Sequence, residues 1–337
     1  MSFETGKREN ETSLEQERIE ASYAQMQKDI ELMQRGSKYE RSVEDDREIL
    51  TSPEGEKFTI RKITKPEDPV IEKLYPLLRT RFTEEETDTP ETIRDAISTH
   101  WGAYHIIEDA DGNVLTHSCV GLLDLKNPEG SPEPKEGILF VGYILNDPNF
   151  HKPDLAREIF QSVYKDTLAD AKSRGIGIKG ITGESVERVE PLANMAGLSR
   201  IYFENRQGDI QELPFECPPI NWNYETGEPL QDPTPEHLIV KLMDDKKTMD
   251  VQEILSMVWS IYEENYVFPA TVIPSPDARQ NNRQAVLQFY NKLKESLDGA
   301  KDGRLFTMSL RERRKKAREL QGQGKKVIEV EIPNDEE

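Results

Sequence analysis

The chain has 337 residues, with 64 acidic side chains against 44 Lys and Arg and a formal net charge of −20 at pH 7. Such a surplus repels nucleic-acid phosphates and attracts protonated amines, so generic nucleic-acid binding is not expected as the main task. With only 35% hydrophobic and 32% charged residues, part of the chain is expected to lie outside any core.

Taken in chain order, residues 1–56 are polar, and Ile19, Tyr23, Met26, Ile30 and Met33 recur at alternating spacings of four and three. That spacing predicts an amphipathic helix over 13–35, started by capping boxes at Thr12…Glu15 and Ser13…Gln16. From Lys57 the pattern changes to a strand (58–63), a helix (70–82) and a helix start at Thr89-Pro90-Glu91. Strands at 103–108 and 114–125 flank the hairpin signal Asp111-Gly112-Asn113. After a Pro- and Glu-rich loop, the apolar run Ile138–Leu145 is a buried strand broken by Asn146-Asp147-Pro148-Asn149. A helix over 154–174, a strand over 176–182 and a short helix over 188–196 ending at Gly197 follow. Strands at 199–203, 210–215 and 237–243 enclose a Pro-rich insert, 214–235, that carries Trp222 and Tyr224. The remainder reads as three helices, 249–266, 279–297 and a basic one from Ser309 to Gly322. The expected organisation is a polar helical extension (1–56), an α/β domain (57–246), a helical region (247–322) and an acidic tail (323–337).

Cys119 and Cys217 stand alone without CxxC spacing, which fits a reducing compartment. The N-terminus has no apolar signal core and no apolar run is long enough to span a bilayer, so a cytoplasmic protein is expected. Gly175-Ile-Gly177-Ile-Lys-Gly180 matches GxGxxG but follows a helix and enters a strand, the wrong order for a dinucleotide fingerprint; a helix cap and turn is the better reading. His100, His105, His117 and His237 have no metal-ligand spacing, and no metal site is implied. Arg311 to Arg318 is a basic stretch that is either a solvated helix face or a contact for RNA or an acidic partner.

The strand, turn and helix start at 137–185 is the arrangement that offers free backbone N–H groups to a phosphate. The element order over 57–245 is β-α-α-β-β-β-α-β-α-β-β. Together with Ile144–His151, Glu190–Leu198 and the closing hairpin from Arg200-Ile201-Tyr202-Phe203, it resembles the GNAT superfamily of acyl-CoA-dependent N-acyltransferases. The resemblance covers somewhat over half the chain. It implies an α/β (α+β) fold with a mixed, mostly antiparallel central sheet flanked by helices. It also implies acyl transfer from acetyl-CoA or another acyl-CoA to an amine on a small molecule or protein. By position, Ile144, Leu145 and Asn146 would line the pantetheine, with Gly142 at a bulge, and His151, Lys152, Asp154, Leu155, Ala156 and Arg157 would form the pyrophosphate loop. The family loop has Arg or Gln, two residues, Gly, one residue, then Gly or Ala; here only Ala156 fits. Asp154 sets a carboxylate against the pyrophosphate, which Lys152 and Arg157 offset, or else simply caps the helix.

The family chemistry needs a base for the acceptor ammonium, for which Glu184 and Glu136 are the candidates. The place where the family often carries an acidic Tyr holds Ala193, beside Asn194, so Tyr202 or Tyr143 would have to substitute. Phe215, Trp222 and Tyr224 either shape an acceptor pocket or form a lid over a sheet edge. The alternative to an enzyme is a non-catalytic module of the same fold that binds a protein partner through its helical extensions.

Overall fold

The computed structural model describes residues 2–44, 47–82, 87–98, 103–129, 136–150, 152, 154–185, 197–219, 222–243, 247–270 and 272–329. The chain forms two compact units, residues 1–122 with 139–178, and residues 123–138 with 179–337.

The first unit holds α1 (Ser2–Gly36), β1 (Glu40–Glu44), β2 (Arg47–Thr51), β3 (Lys57–Ile63), α2 (Ile71–Leu78), α3 (Pro90–Ser98), β4 (Ala103–Glu108), most of β5 (Val114–Asp124) and β6 (Glu136–Asn146), and α4 (Leu155–Arg174). Its strands pair in the order β1-β2-β3-β4-β5-β6. Side chains alternate across the sheet, so each face builds its own core. Ile63, Tyr104 and Ile106 pack against Leu74 and Leu78 of α2 and Ile93 and Ile97 of α3. Phe58, Ile60, Ile107 and Leu115 pack on the other side against Leu155 and Ile159 of α4. Burial on both faces accounts for the near-continuous apolar reading of β4.

The amphipathic stripe of the first 56 residues docks on this unit. Met26 and Ile30 are buried, and the Tyr23 hydroxyl donates to the carbonyls of Ala171 (3.1 Å) and Ile176 (2.8 Å) at the end of α4. At Gly177 an added Cβ would lie 3.1 Å from Ile19, so the glycine lets the helix approach. Met26→Ala is therefore expected to lower the stability of the full chain by about 2–5 kcal/mol, read as a reduced urea midpoint; an unchanged midpoint would mean α1 does not dock.

Several short strands were not expected from the sequence, and two longer departures stand out. The β1–β2 hairpin lies within the stretch read as a polar helical extension. Its strands carry charge where a strand pattern needs apolar residues, because Arg41 takes the place of a core side chain. Arg41 pairs with Glu48 and donates to the Glu158 carbonyl (2.6 Å) and carboxylate (3.0 Å), and Ser162 Oγ donates to Glu48 (2.5 Å). The second is a nine-residue strand in the region read as wholly helical, described next.

The second unit holds β7 (Gly177–Ser185, from Lys179 onward), β8 (Ser199–Asn205), β9 (Ile210–Glu212), the short ladders β10 (Glu216–Cys217) with β13 (Thr234–Pro235) and β11 (Trp222–Asn223) with β12 (Glu228–Pro229), then β14 (His237–Leu242) and β15 (Thr248–Asp250). Helices α5 (Val251–Tyr266) and α6 (Pro276–Leu297), strand β16 (Ala300–Met308), helix α7 (Leu310–Gln321) and β17 (Val327–Ile328) complete it. The strand order is β7-β14-β8-β16-β15, with antiparallel ladders throughout, and β9 extends it from β8. The β9–β17 pair is parallel. β16 begins Ala-Lys-Asp-Gly-Arg, which is polar and mostly exposed, so its strand character rests on pairing with β8 and not on its own pattern. Capping boxes at Asp250 and Ser309 start α5 and α7. Gly175 ends α4 in the left-handed conformation, as a helix cap and not a nucleotide loop. The chain is thus a mixed α/β protein with mostly antiparallel pairing and helices packed on its strands. Among the described residues no helix is long and apolar enough to cross a membrane.

Candidate functional site

In the first unit the segment from β6 to α4 runs as the sequence predicts. β6 is buried from Gly137 to Phe140, after which Gly142 and Ile144 are exposed while Leu145 turns back into the core. Asn146 is engaged from behind: its Oδ1 accepts from Thr116 Oγ1 at 2.9 Å. Asp147 organises the turn, with its carboxylate accepting from the backbone N–H (2.8 Å) and amide (3.0 Å) of Asn149.

The start of α4 is more occupied than a phosphate cradle requires. The N–H groups of Leu155 and Arg157 already donate to Lys152 O (3.1 Å) and Asp154 O (3.0 Å). Asp154 has helical dihedrals and makes no side-chain cap; its carboxylate pairs with Lys38 at 2.7 Å. The capping role is therefore excluded in favour of an ion pair. Lys152 pairs with Glu56, and its ammonium stands 4.8 Å from the Phe58 ring centroid and 5.7 Å from that of Phe150. Arg157 faces buried Glu158 at 3.4 Å, and Leu155 belongs to the core. Of the predicted loop, Ile144 and Lys152 remain reachable, Leu155 is structural, and His151 and Pro153 lie outside the described residues. The predicted short helix with Ala193 and Asn194 also lies outside them.

The second unit builds a different constellation around Glu184. Glu184 sits on β7 opposite Leu238 of β14. The Tyr266 hydroxyl, at the end of α5, lies 3.3 and 3.4 Å from its two carboxylate oxygens and 2.6 Å from Cys217 Sγ. Tyr266 is held in turn: its carbonyl accepts from Asn282 Nδ2 at 3.0 Å, and its ring meets Tyr262 edge-on at 6.2 Å. Tyr262 donates to the Glu216 carbonyl at 2.5 Å and packs on Phe215 at 5.7 Å.

Burial pushes the Glu184 carboxyl up to about 7, against the pull of its hydrogen bonds from Tyr266 and Cys217. Burial likewise drives the Cys217 thiol well above its usual range, and the neighbouring Glu184 and Glu236 carboxylates raise it further. The thiol is therefore protonated at neutral pH and is a poor nucleophile. Donor atoms of Glu184, Cys217 and Glu236 lie within 4.8 Å of one another, a juxtaposition able to hold a cation that residue spacing did not indicate. A carboxyl near 7 is half-ionised at neutral pH, the condition in which a general base works best.

The other two catalytic candidates lie elsewhere. Glu136 is exposed and faces Lys179 at 3.6 Å, the same ammonium that pairs with Glu253. Tyr202 is fully buried in a cluster with Ile210, Met308 and Leu320, and stacks on Phe306. Burial holds its hydroxyl far above the usual range, and that hydroxyl has no hydrogen-bond partner among the described residues. It is packed as a core side chain. The Pro-rich insert folds into its two short ladders; Trp222 is buried edge-on to Phe268 at 6.1 Å, whereas Phe215 supports the Glu184 cluster through Tyr262. Tyr266 and Cys217 were not singled out for this role, since they stand 82 and 33 positions from Glu184 and no local signal links the three.

No protein-family profile and no curated protein sequence matches the chain. Among solved structures, the chain is similar to NAA60 of Arabidopsis thaliana in complex with acetyl-CoA, at 11% identity over 56% of this chain and 99% of that one, with a TM-score of 0.38. It is similar to Naa20 of Chaetomium thermophilum in complex with a bisubstrate analogue, at 14% identity over 55% and 87%, with a TM-score of 0.37. It is also similar to the aminoglycoside N-acetyltransferase AAC(6')-Iy in complex with CoA, at 13% identity over 43% and 88%, with a TM-score of 0.31.

Proposed function

We propose that the chain is an N-acyltransferase of the GNAT kind, moving an acetyl or related acyl group from acyl-CoA to an amine acceptor. The observation that carries this reading is the Glu184 carboxyl, lifted to about 7 by burial and held by the Tyr266 hydroxyl. In this reading Glu184 takes a proton from the acceptor ammonium, directly or through water. The freed nitrogen lone pair attacks the thioester carbonyl, the C–N bond forms, the C–S bond breaks, and the departing thiolate takes the second proton that the nitrogen sheds. The resemblance to the GNAT superfamily is what assigns Lys152 and Arg157 to the pyrophosphate and Ile144 and Asn146 to the pantetheine arm.

A specific observation favours a second reading, a non-catalytic module that works through a protein partner. The cations at the start of α4 are already matched, Lys38 by Asp154 and Lys152 by Glu56. An incoming pyrophosphate must displace both carboxylates from these ammonium groups.

Isothermal titration of the full chain with acetyl-CoA separates the two. The acyltransferase reading expects saturable binding that weakens at least tenfold in Lys152→Glu, and release of free CoA thiol when an amine is added. Absence of heat and of any thermal shift at millimolar acetyl-CoA would leave only the second reading.

A further inference from the structure

The first unit contains another ionisable cluster, outside the α4 loop. Asp88 lies between α2 and α3, partly buried, and accepts a hydrogen bond from the Tyr143 hydroxyl. Tyr143 stands on β6 next to exposed Gly142. Its ring meets partly buried Phe82 edge-on at 5.3 Å and stacks at 6.4 Å over His117, which in turn stacks on Tyr104 at 5.8 Å.

The charge state of this cluster is simple. His117 is fully buried, neither ring nitrogen has a partner among the described residues, and burial together with His105 pulls it down to about 3, so it is neutral. Burial drives the Tyr104 hydroxyl and the Cys119 thiol far above their usual ranges, and these two share a hydrogen bond, so both are neutral. Asp88 supplies the negative charge, and no cation pairs with it among the described residues. Burial raises its carboxyl to about 6, so it is ionised at pH 7.5 at the expense of desolvation. A half-buried carboxylate without a counter-ion calls for one. Among the described residues no group of metal-donor side chains includes Asp88. Among the described residues, the aromatic rings of Phe82 and Tyr143 stand beside the Asp88 carboxylate. Ring faces attract organic cations, and partly buried rings offer apolar surface to an alkyl chain.

We propose that Asp88, walled by Phe82 and Tyr143, binds the ammonium head of an alkyl amine. Tyr143 orients the carboxylate, and His117 and Tyr104 back the ring wall without adding a competing positive charge. Identifying this ammonium as the acyl acceptor rests on the acyltransferase reading; the binding itself does not.

The test is ligand-observed saturation-transfer NMR on the full chain at pH 7.5 without acyl donor, using n-butylammonium, tetramethylammonium and the neutral n-butanol. Both ammonium probes are expected to bind saturably, at least tenfold more tightly than n-butanol. Asp88→Asn should weaken the ammonium probes at least tenfold with no loss of thermal stability, and Phe82→Ala at least threefold. Equal binding of n-butanol and n-butylammonium would overturn the proposal, as would wild-type affinity in Asp88→Asn. Asp88-dependent binding with no acyl transfer from acetyl-CoA would sustain this site while removing the acyltransferase reading. Acyl transfer with an unchanged amine KM in Asp88→Asn would remove this site as the acceptor's and leave that reading intact.

Discussion

Glu184→Gln is expected to slow acyl transfer by about 100- to 10,000-fold, the usual contribution of a positioned general base, and at the same time to stabilise the protein above pH 7. The two effects share one cause. The unfolded carboxyl titrates near 4.5 and the folded one near 7. Between those values the folded state binds more protons than the unfolded state, so the Glu184 contribution to stability is present at low pH and is lost as pH rises through the window. At pH 8 the ionised, buried carboxylate costs about 3 kcal/mol relative to a solvated one, since each tenfold change in its ionisation equilibrium is worth about 1.4 kcal/mol. Gln has no such titration and still accepts the Tyr266 hydrogen bond. Thermal melts of wild type and variant should therefore nearly coincide near pH 4.5 and separate progressively to pH 8, with the variant higher. In the wild type, kcat/KM should rise with pH through about 7, and in Glu184→Gln that limb should disappear. A variant less stable than wild type at pH 8 would mean that burial does not destabilise this carboxylate, and the base assignment would lose its physical ground.

Tyr266→Phe separates the base from its support. Tyr266 is the hydroxyl aimed at both Glu184 oxygens, and it favours the ionised form. Its loss moves the carboxyl further up, so the rising limb of the pH profile shifts to higher pH while the activity plateau survives. A structural role alone would lower stability and leave that limb in place.

The positions of these groups show what a one-dimensional pattern carries. Strand β6 and helix α4 were legible because a continuous apolar run, a Pro-containing turn and a 3.6-residue stripe are each local signals. Glu184 was legible as a strand-end acid. Its environment was not, because Tyr266 reaches it only through the packing of α5 and Cys217 only through the β10 ladder. The β1–β2 hairpin was missed for a related reason. Its stabilising contact is the Arg41 guanidinium on buried Glu158, 117 positions away, and a charged strand of this kind looks solvated in isolation. Asp154 failed in the opposite direction. Its type and place predict a helix cap, yet the Lys38 ammonium, delivered by the turn after α1, draws the carboxylate away from the backbone.

Glu212→Ala should be among the most destabilising single substitutions in the chain, at about 3–5 kcal/mol, because it removes a partner from a buried charged cluster. Arg200, Glu212 and His237 are 2%, 3% and 1% exposed, on β8, β9 and β14. The Glu212 carboxylate is 2.7 Å from His237 Nδ1 and 3.5 Å from Arg200 Nη1. Truncation leaves a guanidinium in the core facing a cavity where its carboxylate stood, and it removes the group that orients the imidazole. Glu212→Gln keeps an acceptor for His237 while deleting the charge, so it should lose less, and the difference between the two variants reports the hydrogen bond separately from the ion pair. The triple change Arg200→Met, Glu212→Leu, His237→Phe removes these three polar side chains together and should recover much of the loss, since burying matched charges yields little net stability over well-packed apolar side chains. Urea midpoints followed by tryptophan fluorescence would rank the four proteins. A triple variant as unstable as Glu212→Ala would show that the charged cluster itself, and not just the completeness of its pairing, holds β8, β9 and β14 in register.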